Sequence, residues 1–216
     1  MALGSALAMF CLMLASCAPW TVRRLEDEDQ SKTAIQHALD PAAYVDSIWN
    51  AKLVPEVLKS AVDARTLLQA ISAGFDEAGR KYGRRENGGA YYFMVKGEGI
   101  VLAVDTSSRN GLLLLDLAPY DRRPDVSVQI GPVLFGSSLR DATGMVRFTD
   151  FVNQIQFADV GNELNRRVLE EVLGRIHRDS LKGQLVGFAG TFSLENAGQP
   201  PIRGVVPVKL EAEARR

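Results

Sequence analysis

Arg140, Asp141, Asp150, Asn153 and Gln154 form the densest run of side chains able to bind a small polar molecule in this 216-residue chain. Phe148, Phe151 and Phe157 are interleaved with them. Hydrogen-bonding groups that converge beside aromatic faces suit a sugar or polyol. The same residues also have a purely structural use. Asp150 can cap a helix, Asn153 and Gln154 can bond loop backbone, and Arg140 can pair with Asp141.

Other chemistry is hard to assemble. The two histidines, His37 and His177, are far apart with no second ligand at metal spacing, and His177 is placed to meet the C-terminal carbonyls of a helix. Asp105, Asp116, Asp121 and Asp125 lie near hairpin ends, where aspartate is a turn residue as readily as a metal ligand. Ser107, Ser108, Ser137 and Ser138 lack the glycine-flanked elbow of a serine nucleophile. Gly97-x-Gly99 has Leu102 where a dinucleotide loop needs its third glycine, and no phosphate-loop motif occurs. No catalytic residue, metal site or cofactor is assigned. With 25 basic and 26 acidic residues, the chain has no electrostatic footprint for nucleic acid.

The remaining reactive group is Cys17. Leu14-Ala15-Ser16-Cys17 closes an apolar run from Met1 that carries no charged side chain up to Ser16. That run is too short to cross a ~30 Å hydrocarbon core as a stable helix, and it ends in small residues as a secretory signal does. The four residues resemble a bacterial lipobox. This resemblance implies diacylglycerol on the Cys17 thiol, cleavage just before it, and a lipidated N-terminus on the extracytoplasmic side of a membrane. The alternative is an ordinary apolar N-terminal helix. Ala18 follows where Asp would signal retention, so by resemblance to Gram-negative sorting the outer membrane is favoured over the inner. Cys11 leaves with the signal and Cys17 is consumed by lipid, so the mature chain of about 200 residues depends on its hydrophobic core.

The elements that must position these groups follow from patterning. Residues 1–16 read as the signal and 17–39, with Arg23-Arg24 and Glu26-Asp27-Glu28-Asp29, as a lipid-anchored tether. Residues 40–87 read as a helical segment. Asp40-Pro41 caps its first helix, Tyr44, Val45, Ile48, Trp49 and Leu53 form an apolar stripe, and Asp63 caps a later helix that Gly74 ends. Tyr44 and Trp49 suit either a core or a ligand groove.

Residues 88–216 read as a β domain. A strand over 91–105 punctuated at Gly97 and Gly99, an Asn110-Gly111 turn, a strand over 112–117 and an alternating strand through Val126, Val128 and Ile130 predict an antiparallel meander. A short strand is expected over 145–148. An amphipathic helix follows, with Val160, Leu164, Val168 and Val172 inward and Arg166, Arg167, Glu170 and Glu171 exposed. Two strands, 185–194 and 203–210, close the domain. The expected fold is α+β, an N-terminal helical segment followed by a small OB-like antiparallel β-barrel of three strands, helix and two strands.

Longer strings carry a family resemblance. They are Ala43-Tyr44-Val45-Asp46-Ser47-Ile48-Trp49, Lys81-Tyr82-Gly83-Arg84-Arg85-Glu86, Lys96-Gly97-Glu98-Gly99, Val104-Asp105-Thr106, Gln129-Ile130-Gly131-Pro132-Val133 and Asp150-Phe151-Val152-Asn153-Gln154-Ile155, together with Cys17. With them the chain resembles the predicted periplasmic lipoproteins of unknown function often encoded beside sugar-type ABC transporters. The resemblance implies an accessory role in carbohydrate or polyol uptake, next to a solute-binding protein or ABC permease, and brings no catalytic residues. Two further readings stand beside it: a structural envelope lipoprotein that binds a protein partner through its barrel or helical layer, and a hydrolase with an unrecognised site.

Overall fold

The computed structural model describes residues 40–86, 88–196 and 202–212. The expected signal, Cys17, the tether and His37 lie outside these residues, as does most of the turn over 196–201. Asp40 starts helix α1 (Pro41–Ile48) by accepting a hydrogen bond from the Ala42 amide at 2.9 Å, with Pro41 in the first turn. A π-helical turn, Trp49–Leu53, leads into α2 (Val54–Ser60). Val45, Trp49, Leu53 and Val57 are buried, so Trp49 belongs to the core, and Tyr44 is half-buried against it. Asp63 accepts from the Thr66 amide at 2.9 Å and starts α3 (Ala64–Ala73), which α4 (Phe75–Tyr82) follows.

The segment expected to be helical also contains two short strands. β1 (Val62–Asp63) pairs parallel with Val95 and Lys96, and β2 (Gly83–Arg84) pairs antiparallel with Phe93 and Tyr92. Two-residue strands have no periodicity to read; only their distant hydrogen-bond partners define them.

The meander is present as β3 (Tyr91–Asp105), β4 (Leu112–Asp116) and β5 (Val126–Gln129). β3 is one unbroken strand through both glycines. At Gly99 a Cβ would lie 2.8 Å from the Asp116 carbonyl oxygen, so the close approach of β4 requires glycine there. β6 (Leu185–Leu194) and β7 (Ile202–Ala212) complete the sheet. β3 pairs with β4 and β6, β4 with β5, β5 in parallel with β7, and β7 with β6. With β1 and β2 also paired to β3, the sheet has seven strands. The core against the sheet holds Phe93 stacked on Phe192 (ring centroids 5.2 Å apart) together with Val95, Leu113, Leu115, Val128 and Val205.

Between β5 and β6 lie α5 (Ser138–Ala142) and α6 (Gln154–Arg167), the latter continuing in π and 3-10 turns to Arg175. The expected strand over 145–148 is absent. Gly144 at φ 68° turns the chain before it, and the Arg147–Asp150 ion pair (3.0 Å) closes a 3-10 turn at Phe148–Asp150. The apolar face of α6 is as expected, with Val160, Leu164 and Val168 buried. Its polar face is not wholly solvated. Arg166 is exposed between Glu163 and Glu170, but Arg167 pairs with Asp46 of α1 and with Glu171 (2.8 Å).

The helical layer is tied to the sheet by Arg65 of α3. Its guanidinium donates to the Leu117 and Ala118 carbonyls at 2.9 and 3.0 Å and to Asp125 at 3.0 Å, and Asp125 also accepts from the Leu117 amide at 2.9 Å. The hairpin aspartates thus serve turns. Asp105 accepts from the Ser107 amide, Asp116 from that of Arg122 and Asp121 from that of Arg123.

Candidate functional site

The polar-aromatic run is brought together, but its groups face one another. The Arg140 guanidinium forms a two-point pair with Asp141 (2.7 and 3.0 Å), donates to the Phe157 carbonyl at 3.1 Å and lies 3.6 Å from the centre of the Phe157 ring. Asp150 pairs with Arg147 rather than capping a helix. Asn153 is the N-cap of α6, accepting from the Gln156 amide at 2.9 Å, and Gln154 is an exposed first-turn residue. Phe151 packs edge-on against Tyr44 of α1, and Phe148 edge-on against Phe157. Tyr92 of β3 reaches this cluster. Burial, and then the negative charge of Asp141, pushes its phenol above the usual tyrosine value. These contacts engage the charged groups of Arg140, Asp141 and Asp150 within the protein, while Gln154 stays exposed.

A more open site lies on the outer face of the sheet. Antiparallel pairing places Ala189 of β6 between Lys96 of β3 and Lys209 of β7, and Gly187 between Glu98 and Glu211. The central strand thus carries almost no side chain, while both flanking strands carry a Lys-x-Glu pair in the same order. With strands ~4.8 Å apart, the two walls stand roughly 10 Å from each other. Leu58 of α2 and Asp63 of β1 complete a groove of about 540 Å³. Lys209 and Glu211 pair at 3.1 Å, and all four wall residues are exposed. The floor is open: a Cβ on Gly187 would meet only the Glu211 carbonyl oxygen, at 4.0 Å.

The groove carries both signs of charge, with carboxylates that accept from hydroxyl groups and ammoniums that donate to them. Sequence reading missed it. The repeated Lys-x-Glu spacing is visible in Lys96-Gly97-Glu98 and Lys209-Leu210-Glu211, but nothing local places the two segments on either side of β6. Among the described residues no group of His, Cys, Asp and Glu is arranged to hold a metal, and no helix is long and apolar enough to cross a membrane.

Comparison with known proteins locates the chain without defining a ligand. Residues 7–211 match the family described as predicted periplasmic lipoprotein (DUF2291). Among solved structures, the chain is similar to an OB-fold protein from Thermotoga maritima, with a TM-score of 0.67 and 23% identity over 82% of this chain and 99% of that one. The likeness shows a mixed α+β fold whose sheet resembles that of an OB-fold protein. No curated protein matches the chain.

Proposed function

The chain belongs to this family of predicted periplasmic lipoproteins, and from that premise we propose that it is a lipid-anchored, non-enzymatic accessory domain that binds a small polar solute in the groove over β6. Its place is the periplasmic side of a membrane, where it is held as a lipoprotein. Cys17 is the residue that carries the lipid in this reading, and the Ala18 neighbour favours the outer membrane. The five strands form a closed OB-type barrel, a reading supported by the pairing of β3 with both β4 and β6.

The observation that carries the solute proposal is the paired Lys-x-Glu walls around Gly187 and Ala189. A sugar or polyol offers vicinal hydroxyls that both donate and accept, the complement of alternating ammonium and carboxylate groups. The sequence resemblance to lipoproteins encoded beside sugar-type ABC transporters supports that solute class, and a solute-binding protein or permease as the neighbour it serves. Binding rather than catalysis is assigned to Glu98 and Glu211 because an open groove does not expel the water that a desolvated reaction centre excludes.

The test is a thermal-shift screen of the detergent-solubilised lipoprotein against sugars and polyols. At a hundred times its Kd, a ligand adds ~2.7 kcal/mol of stability. Gly187→Leu fills the groove floor and should abolish the shift. A flat screen of the folded wild-type protein, or a shift that Gly187→Leu leaves intact, would overturn the assignment.

A further inference from the structure

Phe148, Val152 and Ile155 are 51%, 61% and 60% exposed, an unusual set of apolar side chains to leave in water at one end of a domain. All three lie at the N-terminal end of α6. The contacts of α1 fix which end of the molecule this is. Tyr44, near the start of α1, packs on Phe151 with ring centroids 5.6 Å apart. Asp46 pairs with Arg167, and Trp49 beyond the end of α1 donates to Glu171 at 3.0 Å. These contacts advance along both segments in the same order, so α1 crosses α6 with its N-terminus directed toward the N-terminal end of α6.

That end is where the chain arrives from its anchor. We propose that the patch of Phe148, Val152 and Ile155 docks on the lipid bilayer to which the N-terminus is attached, setting the orientation of the domain. The inference rests on lipid anchoring ahead of Asp40 and is independent of the solute groove. Residues 17–39, at ~3.5 Å per residue, reach no further than roughly 80 Å, so contact of the patch with the bilayer is intramolecular and even a weak one is populated. The exposed guanidinium of Arg147 flanks the patch and keeps donors beyond its pair with Asp150 for lipid phosphates. A surface that pairs apolar side chains with a cation matches the headgroup–acyl boundary.

The experiment uses the full lipidated protein in vesicles of phosphatidylethanolamine and phosphatidylglycerol. An environment-sensitive fluorophore is attached through Val152→Cys or, as a control, through Arg175→Cys. The control site lies at the far end of the same helical run, roughly 30 Å away at ~1.5 Å per residue. Flotation of the wild-type protein with the vesicles reports anchoring separately. The expected result is blue-shifted emission at position 152, quenched by spin-labelled lipid, with a water-like, unquenched signal at position 175. Adding Ile155→Glu should reduce the quenching at 152 while the thermal midpoint stays unchanged. Water-like emission at both positions on floating vesicles would overturn the proposal. So would a shielded probe at 152 that lipid spin labels do not quench, the signature of a protein partner or a second copy.

Discussion

The indole Nε1 of Trp49 donates to Oε2 of Glu171 at 3.0 Å, joining residues 122 positions apart. Glu171 also receives Arg167, its neighbour one turn away, which in turn pairs with Asp46, so one buried indole and one ion pair fasten the α1 segment to the end of the α6 run. Hydrogen bonds to charged groups contribute ~1.5–3 kcal/mol. Trp49→Phe should therefore lower the unfolding free energy by at least about 2 kcal/mol in urea titrations, through the lost bond and the smaller ring. Glu171→Gln, which keeps an acceptor, should cost less.

The residues singled out first as a solute site should behave as structural ones. Asn153→Ala removes the α6 cap and should cost ~1 kcal/mol. Arg140→Met removes the Asp141 pair, the Phe157 carbonyl bond and the ring contact, and should lower the thermal midpoint further. Neither substitution should change the affinity of any ligand that Gly187→Leu blocks, as measured by calorimetry. A selective loss of affinity in Arg140→Met would return the site to that cluster.

Two half-buried tyrosines should make stability fall at alkaline pH. Burial is the main cause that raises both Tyr44 and Tyr92, with Asp150 and Asp141 adding repulsion against the phenolate. The folded protein thus favours the neutral phenols. Their contribution is fully present below the unfolded tyrosine value of about 10 and is lost as pH rises through the higher folded values. The thermal midpoint should fall across this interval, and Tyr44→Phe should make the fall shallower.

Gly187 and Gly190, three residues apart on β6, should respond oppositely to one methyl group. A Cβ at Gly190 would lie 2.2 Å from the Val206 carbonyl oxygen and 2.9 Å from Pro207 Cα, so β7 must move. Gly190→Ala should cost ~2–3 kcal/mol. Gly187→Ala meets open space and should be neutral or stabilising by up to ~1 kcal/mol, since alanine restricts the unfolded strand more than glycine. Paired thermal melts check the contrast.

Cys17→Ser should abolish lipid attachment. Labelled palmitate should enter the wild-type protein and not the variant, and the variant should leave the membrane fraction or accumulate as uncleaved precursor. A wild-type protein that is unlabelled and soluble would remove the anchor, and with it the bilayer-docking patch.

Local signals determined much of this protein. The caps at Asp40 and Asp63, the Asn110-Gly111 turn and the apolar stripe of α6 were legible because each depends on neighbours within a few residues; the cap of α6 was not, since it falls on Asn153 rather than Asp150. The α+β order, with strands, helix and strands after a helical segment, followed from the same patterns, and the periplasmic location from the family strings. Tertiary structure decided what the charged residues do. Arg167 and Glu171 read as a solvated helix face until α1 brings Asp46 and Trp49 against them. Arg140 and Asp141 read equally as ligand groups or as a pair, and only the fold sets Phe157 over the paired guanidinium. The groove was out of reach for a related reason. Lys96 and Lys209 become opposite walls only because β6 pairs with β3 on one side and β7 on the other, and hydrogen-bond register between distant strands is not encoded in the spacing of either strand.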